Sequence, residues 1–344
     1  MTRPRDAIPP PCEDEAVPSF DELLPRIHVV SLPLVTRFRR VTEREAVLID
    51  GPEGWSEWSP FLEYGDAEAA QWLHAALEYA NDAELNLADS GSIPVNATVP
   101  AIAAAEVPAL LERYGTVRAV KVKVAEPGQT LEDDVARVRA VREVLGDDVL
   151  VRVDANGGWS LEEAARALEQ LGAFTLDYAE QPVASVEDLA RLREQLDGRV
   201  AIAADESIRK ASDPLRVTQL GAADRIIVKA QPLGGLRRAT EIVREVGLPV
   251  TVSSALDTSV GLTMGAQLAA RIARETGTEV SPAGLGTAAL LSADVTRAPK
   301  RPVEGTISLA PVVPDRDLVE QHAASAERRA WWLARLERCL PLLP

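Results

Sequence analysis

Between residues 95 and 283, short apolar runs alternate with longer stretches in which apolar positions recur every third or fourth residue. The runs cover 95–100, 117–124, 150–154, 176–180, 200–204, 225–229, 249–254 and, shortest, 279–283. Each reads as a buried strand, because a parallel strand covered on both faces is apolar almost throughout. The stretches between them read as amphipathic helices. Leu131, Val135, Val138, Val141 and Leu145 share one helical face behind Thr130 and Asp133, which are placed as a variant capping box. Ser160 and Glu163 open another helix, with Leu161, Ala164, Leu168 and Leu171 on its apolar face. Further helices are expected over 103–114, 186–196, 214–220, 235–246 and 260–276. Strict alternation implies a parallel sheet, and eight candidate strands suggest that it closes into a barrel.

The chain ahead of this series has a different rhythm. Strands are expected over 27–33 and 43–50, the second ending at the turn Gly51-Pro-Glu-Gly54, with one helix over 67–81. The segment 36–40 between the strands reads as a basic loop. Residues 1–92 therefore form a small α+β unit, whose first 19 residues, rich in proline and charge, are expected to be loosely held. The barrel spans 93–299, and the tail 300–344 breaks the alternation and is expected to return to the small unit.

Composition narrows the function. A length of 344 residues with 46% hydrophobic residues is enough for a barrel and a modest second unit. A formal charge of −16 argues against a nucleic-acid partner or an anionic membrane surface, and an acidic substrate would need local positive charge to draw it in. The two cysteines, Cys12 and Cys339, give neither a disulfide framework nor zinc spacing, which suits a reducing cytoplasm. No leader pattern and no membrane-length apolar run is present, so a cytoplasmic location is expected.

The strand ends carry the candidate chemistry. Asp154, Glu180 and Asp205 stand 26 and 25 residues apart, and Lys229 follows Asp205 by 24, about one strand plus one helix each time. A parallel barrel brings such ends to one rim. Any one of these carboxylates reads as readily as a helix cap. Three in register supply hard oxygen ligands that suit Mg2+ better than zinc. Lys121 and Lys123, two apart in a strand, point to one side, and their valine neighbours point to the other. A second ammonium and a divalent cation both disfavour a protonated lysine, which lets it act as a base. Cationic groups around a metal suit a reaction whose intermediate gathers negative charge, such as an enediolate. By contrast, Gly284-Leu-Gly-Thr-Ala-Ala289 lies after the last strand, not in an opening βαβ unit, so it is no nucleotide fingerprint, although its amides could hold a carboxylate. His28, His74 and His322 form no ligand cluster.

Lys121-Val-Lys123, Asp154-Ala-Asn156, Glu180-Gln-Pro182, Asp205-Glu-Ser207 and Val228-Lys229 resemble the muconate-lactonizing-enzyme subgroup of the enolase superfamily. The resemblance implies a (β/α)7β modified TIM barrel with an α+β capping domain. It implies one Mg2+ (Mn2+ possible in its place) held by Asp154, Glu180 and Asp205, and acid–base lysines at Lys123 and Lys229. Within the subgroup, the segments 38–46 and 54–64 are most similar to the actinobacterial o-succinylbenzoate synthases. That family dehydrates 2-succinyl-6-hydroxy-2,4-cyclohexadiene-1-carboxylate in menaquinone synthesis, so the partner implied is a small dicarboxylate. Lys123 would then take and return the proton with Lys121 assisting, and Lys229 would stabilise the intermediate from the other face. Ser253, Ser254, Asn156, Gly284, Gly286 and Arg37 are the candidate substrate contacts. The stretch 282–287 has no acid where dipeptide epimerases of the subgroup carry a D-x-D motif, which suits an anionic succinyl tail. N-acylamino acid racemization and muconate cycloisomerization use related machinery and stay open. A non-catalytic barrel would be expected to have lost a ligand or a lysine, and all six are present.

Overall fold

The computed structural model describes residues 18–38, 41–85, 90–208 and 213–344. A short helix, α1 (Phe20–Leu23), precedes a three-stranded antiparallel sheet of β1 (Ile27–Phe38), β2 (Val41–Asp50) and β3 (Trp55–Trp58), in that order. The strand expected over 27–33 runs on to Phe38, so residues 36–38 of the expected basic loop are strand. Arg39 and Arg40 of that loop, and 1–17 of the expected loose start, lie outside the described residues. Period-two alternation gives this sheet two buried faces. Ile27, Val29, Val47, Ile49 and Trp58 pack under α2 (Asp66–Asn81). Val30, Leu32, Ala46 and Leu48 pack against Val260, Leu291 and Val295 of the following unit. The expectation missed β3 because its two central residues, Ser56 and Glu57, are polar yet buried, and the Glu57 carboxylate is satisfied by Ser59, Thr258 and Gly261 rather than by water.

After β4 (Ser92–Pro94), seven parallel strands form one curled sheet: β5 (Ala97–Val99), β6 (Ala119–Lys123), β7 (Leu150–Asp154), β8 (Leu176–Glu180), β9 (Ile202–Ala204), β10 (Arg225–Val228) and β11 (Val250–Val252). Between and after them lie α3 (Val107–Glu112), α4 (Leu131–Leu145), α5 (Leu161–Leu171), α6 (Val186–Leu196), α7 (Asp213–Gln219), α8 (Leu236–Val246) and α9 (Ser259–Thr276). The capping boxes expected at Thr130/Asp133 and Ser160/Glu163 both form. The eighth strand expected over 279–283 is instead two residues that close the ring. Ala283 N–H donates to Pro94 O at 2.8 Å and Ala283 O accepts from Asn96 N–H at 2.9 Å. Gly284 N–H donates to Val252 O at 2.7 Å and Gly284 O accepts from Ser254 N–H at 3.1 Å. The approach is close enough that a Cβ on Gly284 would lie 2.4 Å from Ser253 Oγ.

The last segment pairs back and then crosses over. β12 (Thr306–Ser308) is antiparallel to β4. After α10 (Arg316–Gln321), α11 (Ala326–Cys339) lies on the first sheet's helical side, with Trp332, Leu336 and Cys339 in the core of Trp58, Trp72 and Leu73. Trp332 meets Trp58 edge to face at 5.3 Å, and its indole N–H donates to Glu45 at 2.8 Å. No helix among the described residues is long and apolar enough to cross a membrane.

Candidate active site

The strand ends meet because neighbouring strands are in phase. Lys123 is level with Asp154, and Asp154 with Glu180, in the parallel register. Within β6 the alternation sends Val120 and Val122 outward into the core, with Val124 beyond the strand end joining them, and turns Lys121 and Lys123 inward. Lys121 Nζ lies 2.8 Å from Glu180 Oε1 and 3.0 Å from Asp154 Oδ2. Lys123 donates to Asp154 Oδ2 and, at 2.5 Å, to Asn156 Oδ1. Lys229 donates to Asp205 Oδ1 at 2.8 Å and Oδ2 at 2.5 Å.

Backbone chemistry around the strand ends fixes these groups. Asn156 and Gln181 both have positive φ, at 47° and 38°, which turns the chain sharply just beyond Asp154 and Glu180. The buried Gln181 amide oxygen accepts from Asp205 N–H at 3.0 Å and Ser207 N–H at 3.2 Å. Its Nε2 donates to Val183 O and Ser207 Oγ, both at 2.9 Å. The Gln of the Glu180-Gln-Pro motif thus ties one strand end to the next.

All three carboxylates are buried, as are Lys121 and Lys123. Burial alone would lower the Lys121 pKa, but the Asp154 and Glu180 charges outweigh it and hold the ammonium well above the usual lysine range. Burial opposes ionisation of Asp154 too, yet the Lys121 and Lys123 charges keep its pKa well below the ordinary value. For Glu180, burial and then the charge of Asp154 prevail over Lys121, and its pKa is pushed up to about 8. The two partners of the Lys121–Glu180 contact therefore pull differently. The ammonium shares Asp154 and stays charged, while burial and the Asp154 charge hold Glu180 above the ordinary carboxylate range.

Lys121, Lys123, Asp154, Asp205, Lys229, Asn156, Ser253, Ser254 and Gly284 all line one cavity, with Glu180 directly behind it. Gly286 does not line it. It packs beneath, where a Cβ would meet Asn96 O at 2.5 Å. Arg37 is exposed and also stays off the wall, because strand alternation turns the next residue, Phe38, inward. Thr287, at the end of the candidate loop 284–287, lines the cavity too. Phe38, with Lys123 Nζ 5.6 Å from its ring centre, joins Phe61, Thr98, Ala255 and Leu256 as lining residues that sequence reasoning missed. Phe61 ends the aromatic stretch, and scarcity of aromatics (4%) was its signal; Leu256 had none. The cavity measures about 30 Å3, room for about one water. Larger hollows of about 520 and 590 Å3 share Glu279, Val280 and Ser281 at the opposite, N-terminal ends of the strands, where no lysines and carboxylates converge.

Among the described residues, no three His, Cys, Asp or Glu side chains lie close enough in this arrangement to share an ion. The lysine ammonium groups take the carboxylate oxygens instead. The donor set itself still fits a hard divalent cation: three buried carboxylates at the ends of three adjacent strands, supplying oxygen ligands only. The histidines are elsewhere: His28 packs against Trp55 with the rings tilted at 41°, His74 bonds Gly234 O, and His322 O accepts from Ser31 N–H.

Residues 103–316 match the family described as enolase C-terminal domain-like, and 29–80 match enolase N-terminal domain-like. The chain is 50% identical over 330 residues to the o-succinylbenzoate synthase of Mycolicibacterium smegmatis, covering 95% of this chain and 99% of that one. It is 49% identical to that of Mycobacterium leprae, over 95% of each. The muconate lactonizing enzyme of Pseudomonas fluorescens shares the fold, with a TM-score of 0.71 at 21% identity over 87% of this chain and 98% of that one. The chain belongs to the o-succinylbenzoate synthases of the enolase superfamily.

Proposed function

We propose that the chain dehydrates 2-succinyl-6-hydroxy-2,4-cyclohexadiene-1-carboxylate to o-succinylbenzoate, with Lys123 and Lys229 as the working lysines and Mg2+ held by Asp154, Glu180 and Asp205. Residues 93–299 would carry the chemistry, with 1–92 and 300–344 as the capping unit. The observation that carries the reading is the common rim. Three buried carboxylates and three lysines from adjacent strands face each other within hydrogen-bond distance, in a chain half identical to known synthases. Bound there, Mg2+ would stabilise negative charge gathering on the substrate carboxylate.

Lys123 Nζ takes the proton from the ring carbon beside that carboxylate. It then returns the proton to the departing hydroxyl on the same face, so water leaves by syn elimination and the ring becomes aromatic. Asn156, which accepts from Lys123 at 2.5 Å, orients the amine, and Lys121 adds fixed positive charge beside Asp154 and Glu180. Lys229, donating to Asp205, stays protonated and stabilises the enediolate from the other side. Ser253, Ser254 and Thr287 offer hydroxyls to the succinyl arm, Ser254 Oγ and Thr287 Oγ1 lying 2.9 Å apart. A cavity of about 30 Å3 is too small for the ring and its arm, so the Phe38 side of the wall, at the end of β1, moves to admit them. The discriminating experiment runs the diene beside a panel of N-acylamino acids. Fast dehydration with negligible racemization supports a dedicated synthase, and racemization alone would overturn the substrate.

A further inference from the structure

Arg44 is a fully committed cation that does not line the cavity. It sits in β2 of the first sheet, 4% exposed, and reaches across to the turn after β11. Its Nε donates to Leu256 O at 3.1 Å and its Nη2 to Ala255 O at 3.2 Å. The same Nη2 donates to Ser59 O and, at 3.0 Å, to Ser59 Oγ. The guanidinium carbon lies 4.6 Å from the centre of the Phe61 ring. Its Nη1 also donates to Glu45 O at 3.4 Å. Of the groups Arg44 meets, Phe61, Ala255 and Leu256 line the cavity.

The turn needs such a grip. Leu256 has φ of +66°, a region that a side chain with a Cβ adopts at a cost, and no glycine or asparagine relieves it here. Its carbonyl and the preceding one point at one guanidinium, whose rigid planar fork offers each a separate nitrogen at fixed spacing, which the single nitrogen of an ammonium cannot match. From the other side Glu57 of β3 accepts from Thr258 N–H at 3.0 Å and Gly261 N–H at 3.1 Å. Ser59 Oγ joins the two charges, accepting from Arg44 and donating to Glu57 at 2.6 Å. Carbonyls on one flank and amides on the other are thus both satisfied by the first sheet.

We infer that Arg44 is a positioning residue that imposes the left-handed Leu256 turn and the seat of Phe61, and through them the shape of the wall against which substrate binds. The inference rests on the cavity being the substrate site. It places a determinant of substrate fit in the small unit, on a residue that touches no substrate.

The test compares wild type with Arg44→Met, which keeps the length and removes the donors, and with Arg44→Lys, which keeps the charge and one donor site. For Arg44→Met the expected result is a KM for the diene raised at least about tenfold with kcat within about threefold, Arg44→Lys recovering part of the loss. A crystal structure of Arg44→Met should show Leu256 out of the left-handed region and Phe61 displaced. An unchanged KM with kcat lowered only in proportion to the folded fraction would overturn the inference, and so would an unmoved Leu256 turn. If wild type itself fails to dehydrate the diene, the functional reading falls, and the position of Leu256 in the variant crystal still decides the role of Arg44.

Discussion

Replacing Glu57 with glutamine isolates one buried charge at the junction of the small unit and the barrel. The Glu57 carboxylate is fully buried and accepts from Ser59 Oγ, Thr258 Oγ1 and the Thr258 and Gly261 amides. Burial, and then the charge of Asp257, push its pKa from the ordinary 4.5 up to about 7, against the Ser59 and Thr258 hydrogen bonds and the Arg44 charge. A carboxyl whose pKa is higher folded than unfolded binds its proton more tightly in the native state. Its contribution to stability is therefore fully present below 4.5 and is lost as pH rises through about 7. At about 1.4 kcal/mol per pH unit between those two values, the swing is about 3 kcal/mol. Glutamine keeps the shape and does not titrate. Urea unfolding of wild type and Glu57→Gln at pH 5 and pH 8 should show the wild type losing about 2–3 kcal/mol relative to the variant as pH rises. A difference that stays flat, or moves in favour of wild type at pH 8, would refute the assignment of a raised pKa to Glu57.

Two variants separate the proposed roles at the rim. Lys123→Ala should lower kcat by about 10^3-fold or more, with Mg2+ affinity measured by calorimetry nearly intact; turnover retained within about tenfold, about 1.4 kcal/mol, would remove Lys123 from the acid–base role. Asp205→Ala should weaken Mg2+ binding at least about tenfold in the same titration, and unchanged affinity would argue against the ligand set.

What could be read from the sequence was what depends on period. The apolar runs gave β6, β7 and β8 nearly to the residue, and the strand-end positions they assigned to Lys123, Asp154 and Glu180 fall into one register. Helices with strong local caps, such as those behind Thr130 and Ser160, were equally plain. The misses are all places where distant residues decide. The eighth strand shrinks to Ala283 and Gly284 because two backbone neighbours, not a long ladder, complete the ring. β3 hides in a polar segment because Glu57 is satisfied by a helix start 201 residues away. Leu256 looks like any core leucine until Arg44, 212 positions earlier, is seen to hold its carbonyl. Phe38 replaces Arg37 at the wall through a strand extension that the short apolar run did not disclose.

The most direct measurement follows the aromatic product by absorbance as the purified protein acts on the cyclohexadiene carboxylate, first stripped of metal by chelator and then resupplied with Mg2+. The account predicts negligible conversion after stripping and full recovery on resupply. Unimpaired dehydration by the stripped protein would contradict a metal-dependent site at Asp154, Glu180 and Asp205, and no conversion in either state would contradict the proposed reaction itself.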